Sequence, residues 1–530
     1  MRNAVPPLKF AFVLCLIIFV CSGAGYAAGL LPAFPGAEGD GALAQGGRGG
    51  KVLIVDRLDD PCVGECTTED LNDPAKLVPG TLRWALLQPY PRTVVFRVAG
   101  TIALQEFKLQ NTAHGYDYTR NTTIRVTSPY LTVAGQTAPA GGITVRNAGI
   151  AIETHDVVLR YLRLRTGRNK DLAIPNQQNP ETLMVGEGAH DVIIDHCSVS
   201  WMPAEGVSIY DMGHADLTDV ALSWNLIGEA LIQDDKGLGH PGGGFMAGFE
   251  GDHAPERISF HHNLLLHSQK RNADFLIKSG SLINNIIYNW QWLPTVIAGG
   301  IKMDIVGNIW KPGPQTSPDE LSRWPIHLVP AAVDRPEYAP SDPNAWWNAV
   351  SGFPILYLQG NLDKSRADRQ ASDWELVCHY TTNKTAHCLD GQIDAAWKSA
   401  KPVATSKIPV TVQNAEKLEA VLQASVGASQ RLGADGVWLD GRDTIDQRFL
   451  EEYRTGTYLN EKFPWHEDQV GGFPVPAKTA EPYPDADKDG MADDWEKRFG
   501  LNPADSSDAA SDSNGDGYTN LEAFLNGISP

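Results

Sequence analysis

The densest set of potential metal ligands lies near the C-terminus, in the phrase DADKDGMADDWE. Acidic residues stand at loop positions one, three, five, nine and twelve, with glycine at position six: Asp485, Asp487, Asp489, Gly490, Asp493 and Glu496. Oxygen ligands at this spacing around a glycine turn are typical of the calcium loop of an EF-hand. A solvated acidic tail would not require this spacing, so the loop is predicted to bind calcium.

A second acidic loop follows in the phrase DSNGDGYTNLEA. Its candidate ligands are Asp512, Asn514 and Asp516. The last loop position is Ala523, and Glu522 stands one residue too early to serve as the usual bidentate ligand. The second loop is therefore predicted to bind calcium through an incomplete ligand set.

The middle of the chain, which must position any further site, repeats a short apolar phrase. Copies read VVLRYLRL, VIIDHCSV, VALSWNLI and ISFHHNLL, and shorter copies follow. Alignment places asparagine at one equivalent position, at Asn225, Asn263, Asn285, Asn308 and Asn361. The closest copies are 22 and 23 residues apart, and their β-branched runs lack helical spacing. Because stacked asparagines can hydrogen-bond along a ladder of strands, the pattern predicts a right-handed parallel β-helix.

The remaining segments suggest four regions. Basic residues precede a short apolar run and small residues at the N-terminus, so residues 1–27 are predicted to be a secretory signal peptide. The β-helix is predicted over 28–470, a Pro-rich linker over 471–484, and a calcium-binding tail with short helices over 485–530. The protein is expected to be secreted, extracellular or periplasmic, and monomeric.

Three segments of the β-helix region depart from the repeat. Thr81–Gln88 is predicted to be a short helix over the N-terminal end of the solenoid, and Val412–Val426 a helix over the C-terminal end. Residues between Pro312 and Pro354 are rich in Pro, Trp and Asp and are predicted to form a long loop.

Cysteine spacing and charge restrict the environment and the partners. Cys62 with Cys66 and Cys378 with Cys388 are predicted to form local disulfides, and Cys197 to be a buried free thiol. The net charge of −20 opposes binding to nucleic acid or any polyanion, unless a groove is locally basic or holds metal. Beyond the signal peptide, no segment is long and apolar enough to predict a membrane span.

Taken together, these phrases resemble the pectate lyase superfamily of secreted polysaccharide lyases. The resemblance rests on FPGAEGDGALAQGGRGGKV, PGTLRWAL, VIIDHCSVSW and ISFHHNLLLHSQKRNADF, and the segment VGASQRLGADGVWLDGRDTIDQRF with the calcium tail is similar to bacterial members. It implies a parallel β-helix that cleaves polygalacturonate, an acidic pectic glycan, by β-elimination with Ca²⁺ as cofactor. Calcium in the groove would also let an acidic protein bind an acidic polymer.

The resemblance implies catalytic roles for two neighbouring cations. Arg271 corresponds to the arginine base of the family, and Lys270 is the alternative base because burial can lower a lysine pKa. Ala273 and Asp274 replace the proline and the second basic residue of the family motif.

The resemblance also implies ligands and substrate contacts. Glu181 and Glu205 correspond to ligands of a groove calcium, and Asp211 is the nearest substitute for a further family ligand. Asp195 is interpreted as a structural hydrogen-bonding residue. Lys236 is predicted to contact a substrate carboxylate, with an ordinary surface lysine as the alternative.

Two other functions remain open at this stage. A β-helical glycan hydrolase resembling polygalacturonases would use a carboxylate pair without calcium, and Asp234-Asp235 weakly matches its motifs. A non-catalytic glycan-binding solenoid is the second alternative, because a fold does not determine a function.

Overall fold

The structure, a computed structural model, describes residues 30–530 apart from several segments. Those segments are 65, 68, 106–109, 113–114, 118–121, 169–180, 187, 214, 234–241, 251–252, 320, 330–349, 367, 369, 382–386, 390–392 and 475–480. Side chains of 110–112, 115–117, 380–381 and 387–389 also lie outside the description. The predicted signal peptide therefore falls outside the described residues. Pro32–Pro530 form one compact unit.

Three large sheets, named A, B and C here, form the coils, and the described residues also contain two two-stranded sheets, Gln110–Thr112 with Gly115–Asp117 and Gln430–Leu432 with Trp438–Asp440. Sheet A contains Lys51–Val55, Arg92–Phe96, Leu131–Ala134, Val157–Arg160, His190–Asp195, Thr218–Ser223, Glu256–His261, Ser279–Ile283, Lys302–Val306 and Ile355–Gln359. Sheet B contains Gly100–Ala103, Ile143–Arg146, Arg163–Leu164, Ser198–Ser200, Leu226–Gly228, Leu264–Leu266, Ile286–Tyr288, Ile309–Lys311 and Leu362–Asp363. Sheet C contains Ile124–Val126, Ile150–Ile152, Leu183–Gly186, Glu205–Asp211, Gly243–Phe249, Asp274–Phe275, Thr295–Ala298, Ile326–Val329, Val377–Thr381 and His387–Leu389.

Each central coil contributes one strand to every sheet in turn. His190–Asp195 enters sheet A, Ser198–Ser200 enters sheet B and Glu205–Asp211 enters sheet C before the next coil begins. Neighbouring coils pair in parallel, with only the last strand of sheet C antiparallel among the described strands of the three sheets. The predicted right-handed parallel β-helix is confirmed.

The asparagine ladder lies at the corner between sheets A and B. The Nδ2 of Asn225 donates to Oδ1 of Asn263 at 3.0 Å, and Asn263 donates in the same way to Asn285. The chain of bonds continues through Asn308 to Asn361. The residue just before the ladder position has a positive φ in several coils, for example 57° at Trp224. Each asparagine thereby satisfies buried backbone groups at a sharp corner of the chain.

Inside the coils, side chains at every second strand position point into one continuous core. Val157, Val192, Val220 and Ile258 pair in register from coil to coil and are fully buried. Such burial stabilises the fold by roughly 1.5–3 kcal/mol per side chain. The outward positions of the same strands remain available for polar groups and for covering segments.

The α-helices lie on the surface of the solenoid: Leu82–Leu86, Ala415–Ser425, Thr444–Thr455, Asp493–Phe499 and Asn520–Leu525. The first confirms the helix predicted over Thr81–Gln88, and the Thr81 hydroxyl caps it by accepting from the Trp84 amide. Ala415–Ser425 lies along sheet B and not over the C-terminal end, which corrects the prediction. Its buried Leu418 and Leu422 belong to the same apolar cluster as outward-facing residues of sheet B.

Two further sequence predictions concern the last coils and the cysteines. The region between Pro312 and Pro354 contains the sheet C strand Ile326–Val329, because its alternating apolar residues complete a coil. The long-loop prediction is therefore wrong for this part. Cys62 and Cys66 form a disulfide, and Cys197 is buried and free.

The second predicted disulfide falls partly outside the description. Cys378 is disulfide-bonded, whereas the side chain of Cys388 lies outside the described residues. Separately, none of the helices in the described ranges combines the length and the apolar character needed to cross a bilayer.

Candidate active site and carboxylate cluster

Five charged residues meet at the N-terminal ends of neighbouring strands in sheet C. We name Glu181, Glu205, Lys270, Arg271 and Asp274 the sheet C cluster. Glu205 and Asp274 begin their own strands, Glu181 precedes the strand Leu183–Gly186, and Lys270 forms a parallel bridge with Gly243. Parallel strands share their N-terminal edge, so residues far apart in sequence become neighbours through coil stacking.

Arg271 is held by both its backbone and its side chain. Its φ of 57° lies in the left-handed region, and its carbonyl accepts a 2.7 Å hydrogen bond from the Phe245 amide. The guanidinium forms an ion pair with Glu205, and both side chains are largely buried. A Cβ at Gly243 would lie 2.9 Å from Cβ of Arg271, so a larger residue at this position would clash with the Arg271 side chain.

Glu181 is one of the incompletely hydrogen-bonded acids of this cluster. Burial raises the pKa of Glu181 to about 7, and the Ser208 hydroxyl and Arg271 oppose this rise. Its Oε2 atom has no hydrogen-bond partner among the described residues. A buried carboxylate oxygen without a donor is suited to a proton or a metal cation.

Asp274 lies beside both candidate bases. Burial raises the pKa of Asp274 to about 7, while Arg271 and Lys270 lower it. Burial also lowers the pKa of Lys270 and that of Arg271, and Asp274 opposes both shifts. In the sequence, Asp274 is noted only because it replaces the second basic residue of the family motif. In the structure, Asp274 is buried beside two cations, Arg271 and Lys270.

The other predicted groove residues have different positions. Asp211 ends its strand, is fully buried and accepts from the Gly213 amide at 2.6 Å. Asp195 accepts from Arg160 and the Ser223 hydroxyl, so its interpretation as a structural residue is confirmed. Its pKa is lowered, because His196 and Arg160 outweigh the opposing effect of burial. Lys236 lies outside the described residues.

A second acidic cluster lies in the tail, as the first loop predicts. Ligand atoms of Asp485, Asp487 and Asp489 lie within 4.8 Å of one another, and so do those of Asp489, Glu496 and Asp508. We name these five residues the tail cluster. Both side-chain oxygens of Asp487 and of Glu496 have no hydrogen-bond partner in the described part of the chain. Such a concentration of buried acceptors fits a hard cation such as calcium.

The charges of the tail cluster repel one another. Burial, followed by nearby Asp489 and Asp487, raises the pKa of Glu496 to about 8. Burial raises the pKa of Asp489 to about 7, to which Asp487 and Asp485 contribute. For Glu496 and Asp489, neighbouring carboxylates thus add to the effect of burial in disfavouring the ionised form.

One predicted ligand lies outside the tail cluster, and one unpredicted residue belongs to it. Asp493, predicted at loop position nine, accepts from the Ala486 amide at 2.8 Å and belongs to neither group found in the described residues. Asp508 takes part instead, although it stands outside the twelve-residue loop. The loop spacing does not predict Asp508 as a ligand, because only a turn after the helix Asp493–Phe499 brings it close to Asp489 and Glu496.

The second loop is closed by its own hydrogen bonds. The carboxylate of Asp512 accepts from the Gly515 and Gly517 amides, and Asp516 accepts from the Tyr518 amide. The Asn514 side chain bonds the amide and the carboxylate of Asp516. These side chains are exposed, and no group of three acidic or histidine ligands forms among the described residues of this loop.

These features define the class of the molecule: a right-handed parallel β-helix protein with a mixed-charge cluster on one sheet and a carboxylate cluster in its tail. The chain is homologous to fungal proteins that carry the name probable pectate lyase C. It is 32% identical to the Aspergillus flavus protein over 299 residues, which cover 55% of this chain and 57% of that protein. It is 29% identical to the Emericella nidulans protein over 504 residues, which cover 94% of this chain and 93% of that protein.

No protein-family model matches the chain. Among solved structures, the major allergen from cedar pollen is similar with 12% identity and a TM-score of 0.45, over 74% of this chain and 92% of that chain. A pectate lyase from Bacillus sp. N165, solved with trigalacturonate, has 14% identity and a TM-score of 0.40, over 74% of this chain and 98% of that chain.

Proposed function

We propose that this protein is a secreted polysaccharide lyase that cleaves polygalacturonate by calcium-assisted β-elimination. The names of its fungal relatives and the pectate-lyase-like phrases support this activity. The observation that carries the proposal is the position of Arg271, buried at the edge of sheet C and surrounded by Glu181, Glu205 and Asp274. The disulfide between Cys62 and Cys66 suits an oxidising compartment and supports secretion.

The reaction needs a base, a leaving group and stabilisation of charge. A base takes the proton from C5 of a uronate, its electron pair forms the C4–C5 double bond, and the C4–O4 bond breaks as O4 is protonated. Arg271 serves as the base in its neutral form. Burial favours that form by lowering the pKa of Arg271, although Asp274, Glu181 and the ion pair with Glu205 oppose the effect. Lys270 is the second candidate base, for the same physical reason.

Glu181 and Glu205 would hold the groove calcium. The unpartnered Oε2 of Glu181 and the carboxylate of Glu205 are oxygen donors of the type that calcium prefers. Calcium bound there would neutralise the uronate carboxylate and so acidify the C5 proton. The protein itself contributes the orientation of Arg271, which the ion pair with Glu205 holds at the strand edge. Lys236 is proposed to contact a further substrate carboxylate.

The tail is proposed to bind calcium at a separate site. Asp485, Asp487, Asp489 and Glu496 keep the roles predicted from the first loop, and Asp508 supplies the fifth carboxylate. This arrangement is supported by the buried oxygens that no described donor satisfies. The tail site lies apart from the chemistry, so it is proposed to act on structure and not on catalysis.

The test follows ultraviolet absorbance of polygalacturonate incubated with the mature protein, in calcium and then in chelator. Growth of the C4–C5 unsaturated product is expected in calcium alone. Arg271→Ala is expected to lose about 10²–10⁴-fold in rate. The matched control is Lys302→Met, because Lys302 is an exposed cation on sheet A and is expected to keep full activity.

The outcomes separate the candidate functions. Full activity of Arg271→Ala together with loss in Lys270→Met would transfer the role of base to Lys270. New reducing ends without the unsaturated product would indicate a hydrolase and overturn the proposal. Absence of both signals on polygalacturonate, with binding retained, would indicate a glycan-binding protein.

A further inference from the structure

The tail lies directly on the first strands of sheet A. A Cβ at Gly490 would lie 3.2 Å from methyl groups of both Val52 and Val95, so the first calcium loop touches two strands through its central glycine. The φ of +92° at Gly490 requires glycine for a second reason. Met491 and Phe524 are fully buried in an apolar cluster that also contains Ala134 of the third sheet A strand.

Polar contacts reinforce this apolar contact. The guanidinium of Arg48 forms a two-oxygen ion pair with Glu522, at 2.8 and 3.0 Å. Arg160 of sheet A donates to the Asn526 side chain at 2.8 Å, and Gln136 donates to the Leu525 carbonyl at 3.2 Å. The tail therefore packs against the coils of the β-helix through both of its halves. The first half is the first calcium loop with the helix Asp493–Phe499, and the second half ends in the helix Asn520–Leu525.

The tail cluster connects these two halves. Glu496 belongs to the helix Asp493–Phe499, while Asp508 belongs to the segment that leads to the helix Asn520–Leu525. Glu496 is fully buried and Asp489 is 2% exposed, and both have oxygens without a described hydrogen-bond partner. A divalent cation would join the halves, whereas bare carboxylates would push them apart.

Asp485 links the cluster to the β-helix. Its two carboxylate oxygens accept from the amides of Asp489 and Gly490, at 3.2 and 3.3 Å. The same side chain forms an ion pair of 3.4 Å with Arg97, which follows the second strand of sheet A. The guanidinium of Arg97 also lies over the Tyr483 ring, 4.8 Å from its centroid. Asp485 thus joins the tail cluster to the residue that follows a sheet A strand.

We propose that the tail is an intramolecular clamp operated by a divalent cation of the calcium class. The cation, held by Asp485, Asp487, Asp489, Glu496 and Asp508, keeps residues 485–530 on the first three strands of sheet A. Cation binding thereby controls the stability of the N-terminal coils. The clamp needs the tail calcium site but is independent of lyase activity, so it can fail or succeed whether or not the chain cleaves polygalacturonate.

Hydrogen exchange of the full-length mature protein tests the clamp. Exchange is compared in calcium and in chelator at residues 51–55, 92–96 and 485–530, in a Glu181→Gln/Glu205→Gln background that removes the groove carboxylates. With calcium at 100 times its dissociation constant, protection in all three segments is expected to rise by up to about 100-fold. Asp508→Asn is expected to reduce this rise by at least about tenfold. Asp505→Asn, an exposed neighbour outside the cluster, is expected to preserve it.

A second variant separates the binding of the cation from its transmission. Arg97→Gln leaves all five carboxylates in place, so calcium is expected to protect 485–530 as before but to protect 92–96 less than in the parent. Terbium luminescence sensitised by Trp495, which is next to Glu496 in sequence, reports cation binding directly. Calcium-dependent protection confined to 485–530 in the parent would overturn the clamp and indicate an autonomous module. Absence of both luminescence and protection would overturn the site itself.

Discussion

The sheet C cluster and the tail cluster both concentrate buried carboxylates, yet they balance charge in opposite ways. In sheet C, Glu205 is paired with Arg271, and Arg271 and Lys270 offset part of the rise that burial causes in the pKa of Asp274. In the tail, the charged groups that act on Glu496 are other carboxylates, and all of them raise its pKa further. The first region carries its own cations, whereas in the tail cluster Arg97 pairs with Asp485 and the other carboxylates are proposed to take a cation from solution.

This difference indicates different tasks. A site that binds an anionic polymer benefits from cationic side chains. It also benefits from carboxylates that can release a paired cationic side chain and bind a metal ion instead. A site that fastens two segments needs only strong attraction for one ion, and unpaired carboxylates provide this attraction. The comparison therefore supports the proposal that sheet C carries the chemistry and that the tail stabilises the fold.

The largest expected effect comes from Glu205→Gln, which removes the ion pair of Arg271 and one proposed calcium ligand. Lyase activity at limiting calcium is expected to fall by about 10³-fold, equivalent to about 4 kcal/mol. The calcium concentration for half-maximal activity should rise as well. Rates of unsaturated product formation across a calcium titration measure both quantities.

Glu256→Gln provides the control for Glu205→Gln, because Glu256 is partly exposed on sheet A and pairs with Arg257 there. Its calcium titration should superimpose on that of the parent protein. If Glu205→Gln lowered the rate equally at all calcium concentrations, Glu205 would act on Arg271 alone and the ligand role would be wrong.

An intermediate effect is expected for Asp274→Asn and depends on pH. The pKa of Asp274 is raised from 3.8 to about 7 in the folded protein. Its protonated form therefore stabilises the fold below pH 4, and this contribution is lost as the pH rises through about 7. Asparagine mimics the protonated form, so the variant should be more stable than the parent above pH 7 by up to about 4 kcal/mol. Urea unfolding at pH 5 and pH 8.5 measures the difference.

The sign of that difference is the informative result. A stability gain that grows from pH 5 to pH 8.5 would support a carboxyl that is held neutral between two cations. Loss of stability at pH 8.5 would instead mean that ionised Asp274 forms a net favourable pair with Arg271 or Lys270. The sheet C cluster would then be a fixed salt-bridge network, and the contrast with the tail would become smaller.

Sequence alone predicts the fold because its strongest determinant is local and repeated. Asn225 and Asn263 mark the same corner in successive coils, and their spacing is visible without any structure. The ion pair of Glu205 and Arg271 is different, since the two residues meet only through coil stacking. A resemblance can propose both residues separately, but it does not reveal that they neutralise each other.

The same distinction applies within the tail. Asp485 and Glu496 follow a loop spacing that can be read directly from the sequence, whereas Asp508 reaches the cluster through a turn that no motif encodes. Glu522 stands one residue too early to be the last ligand of the second loop. It instead caps the last helix, accepting from the Thr519 amide at 2.9 Å, and pairs with Arg48.

The smallest expected effect, from Asp512→Asn, compares the two loops of the tail. Asp512 is exposed and its oxygens already accept from the Gly515 and Gly517 amides, so asparagine loses one hydrogen bond at most. The stability change should stay within about 0.5 kcal/mol, as is usual for surface substitutions. Calcium titration followed by terbium displacement should match the parent protein, whereas Asp508→Asn should bind at least about tenfold more weakly. Equal weakening of calcium binding by both variants would mean that the second loop is also a calcium site. Acidic loops whose carboxylates already accept hydrogen bonds would then bind cations as readily as carboxylates without hydrogen-bond partners.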